Sequence, residues 1–218
     1  WKYVQPWTPR LASHESRVVS CANPQPLNRI AMDDWVCGAT GPIVRIHWWG
    51  VLSSPAQAQR PFYVAIYASQ AGACLPNQQA LLYSTCVVPN YVRYRGTDCE
   101  GRRVYHMSAV FPTGAVFTQQ QGVHYWLQIS EADAASIRPQ LEDFRWSSHR
   151  YIKNCPAISA PPLTQPILDA CDNQPEDLAF GFSSRDINGV IVGPAPVLLI
   201  QLFVPGSEVM VEEMVVEP

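Results

Sequence analysis

Apolar and polar residues alternate with a period of two along much of the chain. Val44, Ile46 and Trp48 share one face of a strand, with Arg45, His47 and Trp49 on the other. Phe62, Val64 and Ile66 alternate with Tyr63, Ala65 and Tyr67. Val123, Tyr125, Leu127 and Ile129 alternate with His124, Trp126, Gln128 and Ser130. Further strands are expected around Leu81 to Val88, Val104 to Val110, Arg145 to Ile152 and Leu178 to Phe182. The only helix-tolerant stretch is Glu131 to Ser136. Short strands separated by turn-rich loops predict an all-β fold, an antiparallel β-sandwich of jelly-roll-like type.

Three regions follow from this pattern. Residues 1–30 read as an extended N-terminal arm, 31–183 as the sandwich, and 184–218 as a C-terminal strand-forming extension. The proline-rich stretch from Pro156 to Pro166 reads as a loop outside any sheet. In the extension, Val197, Leu199 and Phe203 lie on one strand face and Leu198, Ile200, Leu202 and Val204 on the other. A strand apolar on both faces needs cover on both sides, either within its own sandwich or by insertion into a neighbour.

Composition narrows the class. The 218 residues carry 15 basic and 18 acidic side chains, and only 15% are charged. A mildly acidic chain is not expected to track nucleic-acid phosphates. The apolar run at Val197–Val204 is far short of the roughly 20 residues that span a bilayer. Seven cysteines without a Cys-x-x-Cys spacing point to a disulfide framework in an oxidising compartment, with three bridges and one thiol left over. Cys74–Cys86 and Cys155–Cys171 are the expected pairs, because each would pin a short loop; Cys21, Cys37 and Cys99 remain. A first residue Trp1 suits a secreted chain whose signal peptide has been removed, and with no Asn-x-Ser/Thr site N-glycosylation is not expected.

Several segments together resemble an uncharacterised family of secreted bacterial domains. They are the opening Trp1 to Pro6, the run Met32 to Cys37 followed by Thr40 to Gly50, then Tyr125 to Ile129, Phe144 to Trp146, and Asp177 to Phe180. The resemblance covers roughly residues 1 to 183. It implies a single jelly-roll-like sandwich carried by exported or surface-anchored proteins, and it brings no established activity.

Candidate chemistry is sparse. Asp33 and Asp34 before one strand, with Glu176 and Asp177 before another, could supply oxygen ligands to a structural Ca²⁺ ion, or could cap turns through backbone amides. Otherwise no cofactor is expected. Glu131, Asp133, Glu142 and Asp143 are the acids available to a glycosidase, but they read as solvated loop residues. The histidines, His14, His47, His106, His124 and His149, form no His-Glu-x-x-His pattern, and no nucleophile elbow or phosphate loop is present. Trp49, Tyr63, Tyr67 and Trp126 fall opposite the aliphatic core stripe. There they would stack on sugars, anchor a protein interface, or lie beneath the arm or the tail. The expected role is a non-enzymatic, secreted structural or assembly protein contacting protein partners or copies of itself. The alternative is a carbohydrate-binding module using those aromatic residues.

Overall fold

The computed structural model describes residues 2–26, 29–112, 114, 116–132, 144–160 and 165–184. In chain order the strands are β1 (Tyr3–Gln5), β2 (Ser13–Glu15), β3 (Arg17–Val18), β4 (Ile30–Val36), β5 (Gly41–Ile43), β6 (Arg45–Val51), β7 (Phe62–Ser69) and β8 (Pro76–Val87). They continue with β9 (Tyr91–Thr97), β10 (Arg103–Val110), β11 (Phe117–Gln119), β12 (His124–Ala132), β13 (Arg145–His149), β14 (Ile158–Ala160), β15 (Gln165–Pro166), β16 (Asp177–Leu178) and β17 (Phe180–Ser183). One 3-10 turn, Pro55–Gln59, links β6 to β7.

Two large sheets form a β-sandwich. The first runs β1-β17-β6-β10-β9, with β13 joining β6 and carrying β2 and β16. The second runs β15-β14-β4-β12-β7-β8, with β3 on β12. The pairings are antiparallel except β3 with β12, which is parallel. Between the sheets lies one continuous core holding Trp35, Trp48, Phe62, Leu127, Trp146 and Phe180. The rings meet across the layers: Trp48 lies 5.2 Å from Phe62 and Trp35 4.8 Å from Phe182, centroid to centroid. Burying each such side chain contributes roughly 1.5–3 kcal/mol, so the alternation read from sequence is also where the stabilisation resides. Gly50 is required by close approach, since a Cβ there would sit 2.4 Å from the Phe144 ring and 2.8 Å from the Arg145 carbonyl.

The structure departs from the sequence reading at both flanks of the sandwich. The first thirty residues, expected as an extended arm, are paired into the body. β1 pairs with β17, β2 with β13 and β3 with β12, so this segment stitches both sheets. Such two- and three-residue strands are too short to show a period. The Pro156–Pro166 stretch contributes β14, paired to β4, and β15; Pro166 is tolerated because β15 is an outer strand. Glu131 and Ala132 belong to β12 rather than to a helical turn. The extension is described only as far as Ser184, and its apolar segments, Val197–Val204 among them, lie outside the described residues.

Three disulfides brace the sandwich, with Cys37 left as a buried free thiol. The bridges are Cys21–Cys86, Cys74–Cys155 and Cys99–Cys171, with sequence separations of 65, 81 and 72. The expected pairs Cys74–Cys86 and Cys155–Cys171 are therefore incorrect. Cys74 precedes β8 and Cys86 lies near its far end, so most of an extended strand separates them. At about 3.4 Å per residue that distance far exceeds the 4.4–6.8 Å between Cα atoms that a disulfide spans. Each bridge instead ties a wrapping segment to a hairpin of the body, and loops of this length confer about 4 kcal/mol each in the chain-entropy view.

Candidate functional site

The four acids proposed as calcium ligands are all buried, and they act as acceptors within the fold. Asp33 and Asp34 sit in the middle of β4, not before it. Successive residues of a strand point to opposite faces, so the two carboxylates diverge. Asp33 turns inward: its Oδ2 accepts from the Leu178 amide at 2.6 Å and from Gln5 Nε2 at 2.9 Å, while its Oδ1 accepts from the Asp34 amide at 2.7 Å. Leu178 and Gln5 belong to the opposite sheet, so Asp33 fastens the two layers. Asp34 turns outward, where its Oδ1 accepts from the Cys155 amide at 3.2 Å and its Oδ2 meets His124 Nε2.

Asp177 Oδ2 accepts from the Lys153 amide at 2.8 Å, while its Oδ1 is buried with no hydrogen-bond partner among the described residues. Glu176 forms a second knot. Its Oε1 accepts from Ser148 Oγ and meets His14 Nε2 at 2.5 Å, and its carboxyl group contacts Asp169. Asp169 in turn accepts from the amides of Ala12 at 2.8 Å and Cys171 at 2.5 Å.

Burial governs the proton affinities here. Desolvation, then the charges of Asp177 and Asp34, pushes Asp33 well above the usual carboxylate range against the pull of its amide donors. Desolvation raises Asp177 to about 7 and Glu176 to about 9, with Asp169 adding to the rise at Glu176. Burial therefore favours the protonated form of Glu176 at neutral pH, beside the Asp169 carboxylate, and its Oε2 is buried with no hydrogen-bond partner among the described residues. Burial lowers His14 to about 4, so it is neutral and donates from Nε2.

These positions do not assemble the calcium site expected from the sequence. Among the described residues, the side-chain ligand atoms that converge within 4.8 Å are those of Asp34, His124 and Cys155, and those of Cys99, Asp169 and Cys171. Both groups include disulfide sulfurs, which have no thiolate to offer. Ca²⁺ takes six to eight oxygen ligands, and most of the acid oxygens here already accept N–H or O–H donors. Glu131, expected to be solvated, is buried on β12. It accepts from Arg60 Nη1 at 2.9 Å, Gln57 Nε2 at 3.2 Å and the Phe144 amide at 3.2 Å. Asp133, Glu142 and Asp143 lie outside the described residues.

The aromatic residues do fall on the outer faces, but they are covered. Trp126 is 0% exposed, Tyr63 5% and Trp49 9%; Tyr67 is half-buried and donates to Gln128 Oε1. Trp126 and Tyr63 pack beneath Val18, Ile30, Met32 and Ile158, sealed by Cys21, Cys86 and Cys155. The N-terminal segment and two disulfides thus close this face, which removes the exposed sugar platform. Trp49 stacks on His106 at 4.4 Å and packs near Trp7. Arg95 Nη2 donates to His106 Nδ1 at 3.1 Å, which leaves His106 Nε2 to donate to His47 Nδ1 at 3.2 Å. Burial, then Arg95 and Arg93, lowers His106 to about 3, so this relay holds uncharged imidazoles.

Two surface features were not visible in the sequence reading. One is a cleft of about 330 Å³ at the seam between sheets, lined by His14, Glu15, Arg29, Arg145, Ser159 and Leu168. Arg145 donates to the Ser13 carbonyl at 2.9 Å and faces Glu15 across β2 and β13. The other is the outer edge of β8, where Leu81 and Leu82 are each 47% exposed and adjoining Val88 is 49% exposed. Residues 61–92 contain no charged side chain, a signal that could have singled out this hairpin.

No helix among the described residues is long and apolar enough to cross a membrane, and the three disulfides are compatible with an extracellular protein. Among proteins of curated function, none matches the chain. A sequence profile of DUF7901, a domain of unknown function, matches residues 1–182, from the β1 segment into β17, and the chain belongs to that family.

Proposed function

We propose that this domain is a non-enzymatic structural protein, exported to the cell surface or an extracellular complex, whose role is to make contacts with other protein surfaces. The observation that carries this reading is the apolar outer edge of β8, with Leu81, Leu82 and Val88 about half exposed in an uncharged hairpin. Exposed apolar patches of this kind mark interaction surfaces. The three long-range disulfides support it, because cross-bracing makes the surface rigid and lowers the cost of ordering it on contact. The internal polar ties support it too: Asp33, Glu131 and Glu176 hold sheets and loops together through buried hydrogen bonds. Export and a bacterial surface setting rest on the disulfides and on the resemblance. Sedimentation velocity over a concentration series of the native, oxidised chain tests the reading, with self-association that grows with concentration as the expected result. A monomer throughout, with no partner captured at the β8 edge by cross-linking in its native extracellular fraction, would remove it.

A further inference from the structure

β8 is the last strand of the second sheet, and β7 is its only strand partner among the described residues. It runs for 12 residues, Pro76–Val87, and carries no charge. Exposed sheet edges are normally blocked by charges, prolines or short length, because their free backbone groups otherwise recruit another strand. The other outer strands follow that rule. β9 carries Arg93 and Arg95, β15 has Pro166, β2 has Glu15, β3 has Arg17, and β1 is flanked by Lys2 and Pro6. β8 opens on Pro76 and has two register shifts, beyond Ile66 and beyond Tyr67 on its partner, and past these Tyr83–Val87 forms a regular ladder without proline or charge opposite Phe62–Ile66.

The chain itself contains a segment of matching chemistry. Val197–Val204 is uncharged and apolar on both faces, with Leu198, Ile200, Leu202 and Val204 opposite Val197, Leu199 and Phe203. As a strand it would span about 27 Å, enough to cover the regular ladder and Val88. A strand laid on the edge of one sandwich has a core beneath only one of its faces, so the other needs a second surface. Two copies that exchange the segment around a twofold axis supply it, since each tail then also meets the partner's exposed Leu81 and Leu82. We infer that residues 197–204 of a second copy add as a strand to the outer edge of β8. This rests on the contact-making role proposed above and names its acceptor and donor.

Hydrogen exchange read by mass spectrometry on the full chain tests it, comparing native protein with Ile200→Pro and, separately, Leu198→Asp/Leu202→Asp. Each sample is also sized by light scattering. The expected result is a dimer in which residues 83–88 are protected, with both variants monomeric and exchanging there at least about tenfold faster. β10 and β12 should be unchanged, which separates strand loss from unfolding. Association that persists in both variants with unchanged β8 exchange would overturn strand addition while leaving the contact role intact. A native monomer with protected β8 amides, exposed by the variants, would overturn the second copy in favour of the chain's own tail. A native monomer with freely exchanging β8 would overturn both this inference and self-association.

Discussion

Asp33, in the middle of β4, accepts a 2.6 Å hydrogen bond from the backbone amide of Leu178 on β16, in the opposite sheet. The same carboxylate takes Gln5 Nε2 and the Asp34 amide, so one buried side chain satisfies three donors. Asp33→Ala should leave all three unpaired and destabilise the fold by about 3–5 kcal/mol. Asp33→Asn keeps one acceptor oxygen and should cost less, about 1–3 kcal/mol. Chemical denaturation of the two variants checks the order.

Glu176 gives the protein an unusual pH dependence. Its folded proton affinity, about 9, lies above the ordinary carboxyl value, so the folded state holds a proton that the unfolded chain has released. Its contribution is fully present below the unfolded value, near 4.5, and is lost as pH rises towards about 9. Asp177, raised to about 7, acts in the same direction over the lower part of that range. His14 and His149, lowered to about 4, and His106, lowered to about 3, work oppositely: their contribution is present above about 6.5 and lost on acidification. Between about pH 6.5 and 9 the acids dominate, and stability should fall by up to about 3 kcal/mol, one proton at about 1.4 kcal/mol per pH unit. Glu176→Gln carries no titrating proton, so it should flatten this decline. Thermal melts at stepped pH decide it.

The Cys21–Cys86 bridge ties the N-terminal segment to β8 over the cluster that buries Trp126 and Tyr63. Replacing both cysteines with serine should cost about 2–4 kcal/mol and lower the melting temperature by roughly 5–15 °C. Trp126 should then become accessible to an aqueous quencher, as read by fluorescence. Cys37, buried with its Sγ near the Ala39 carbonyl, should resist alkylation until the protein is denatured.

What was legible in the sequence was what repeats locally. The alternations at 45–49, 62–67 and 124–129 lie on strands, with Ile46, Ile66 and Leu127 facing the inner core and Trp126 facing outward. Three bridges with one thiol over also matched. The rest depends on contacts distant along the chain. Asp33 and Asp34 interrupt the apolar pattern of β4 and so read as a turn, whereas their acceptor role needs Leu178 and Cys155, more than a hundred residues away. His14 meets Glu176 across 162 positions. That the Leu81–Val88 strand lies at an edge is a property of sheet order, which no local period encodes.

The most direct measurement is the self-association constant of Leu81→Asp/Leu82→Asp against native protein, by sedimentation equilibrium alongside thermal melts. Both side chains are half exposed, so folding stability should shift by no more than about 0.5 kcal/mol for each. Association weakened at least about tenfold with the melt preserved is the expected result, because the apolar edge is then a contact surface and not part of the core. An unchanged association constant would contradict it.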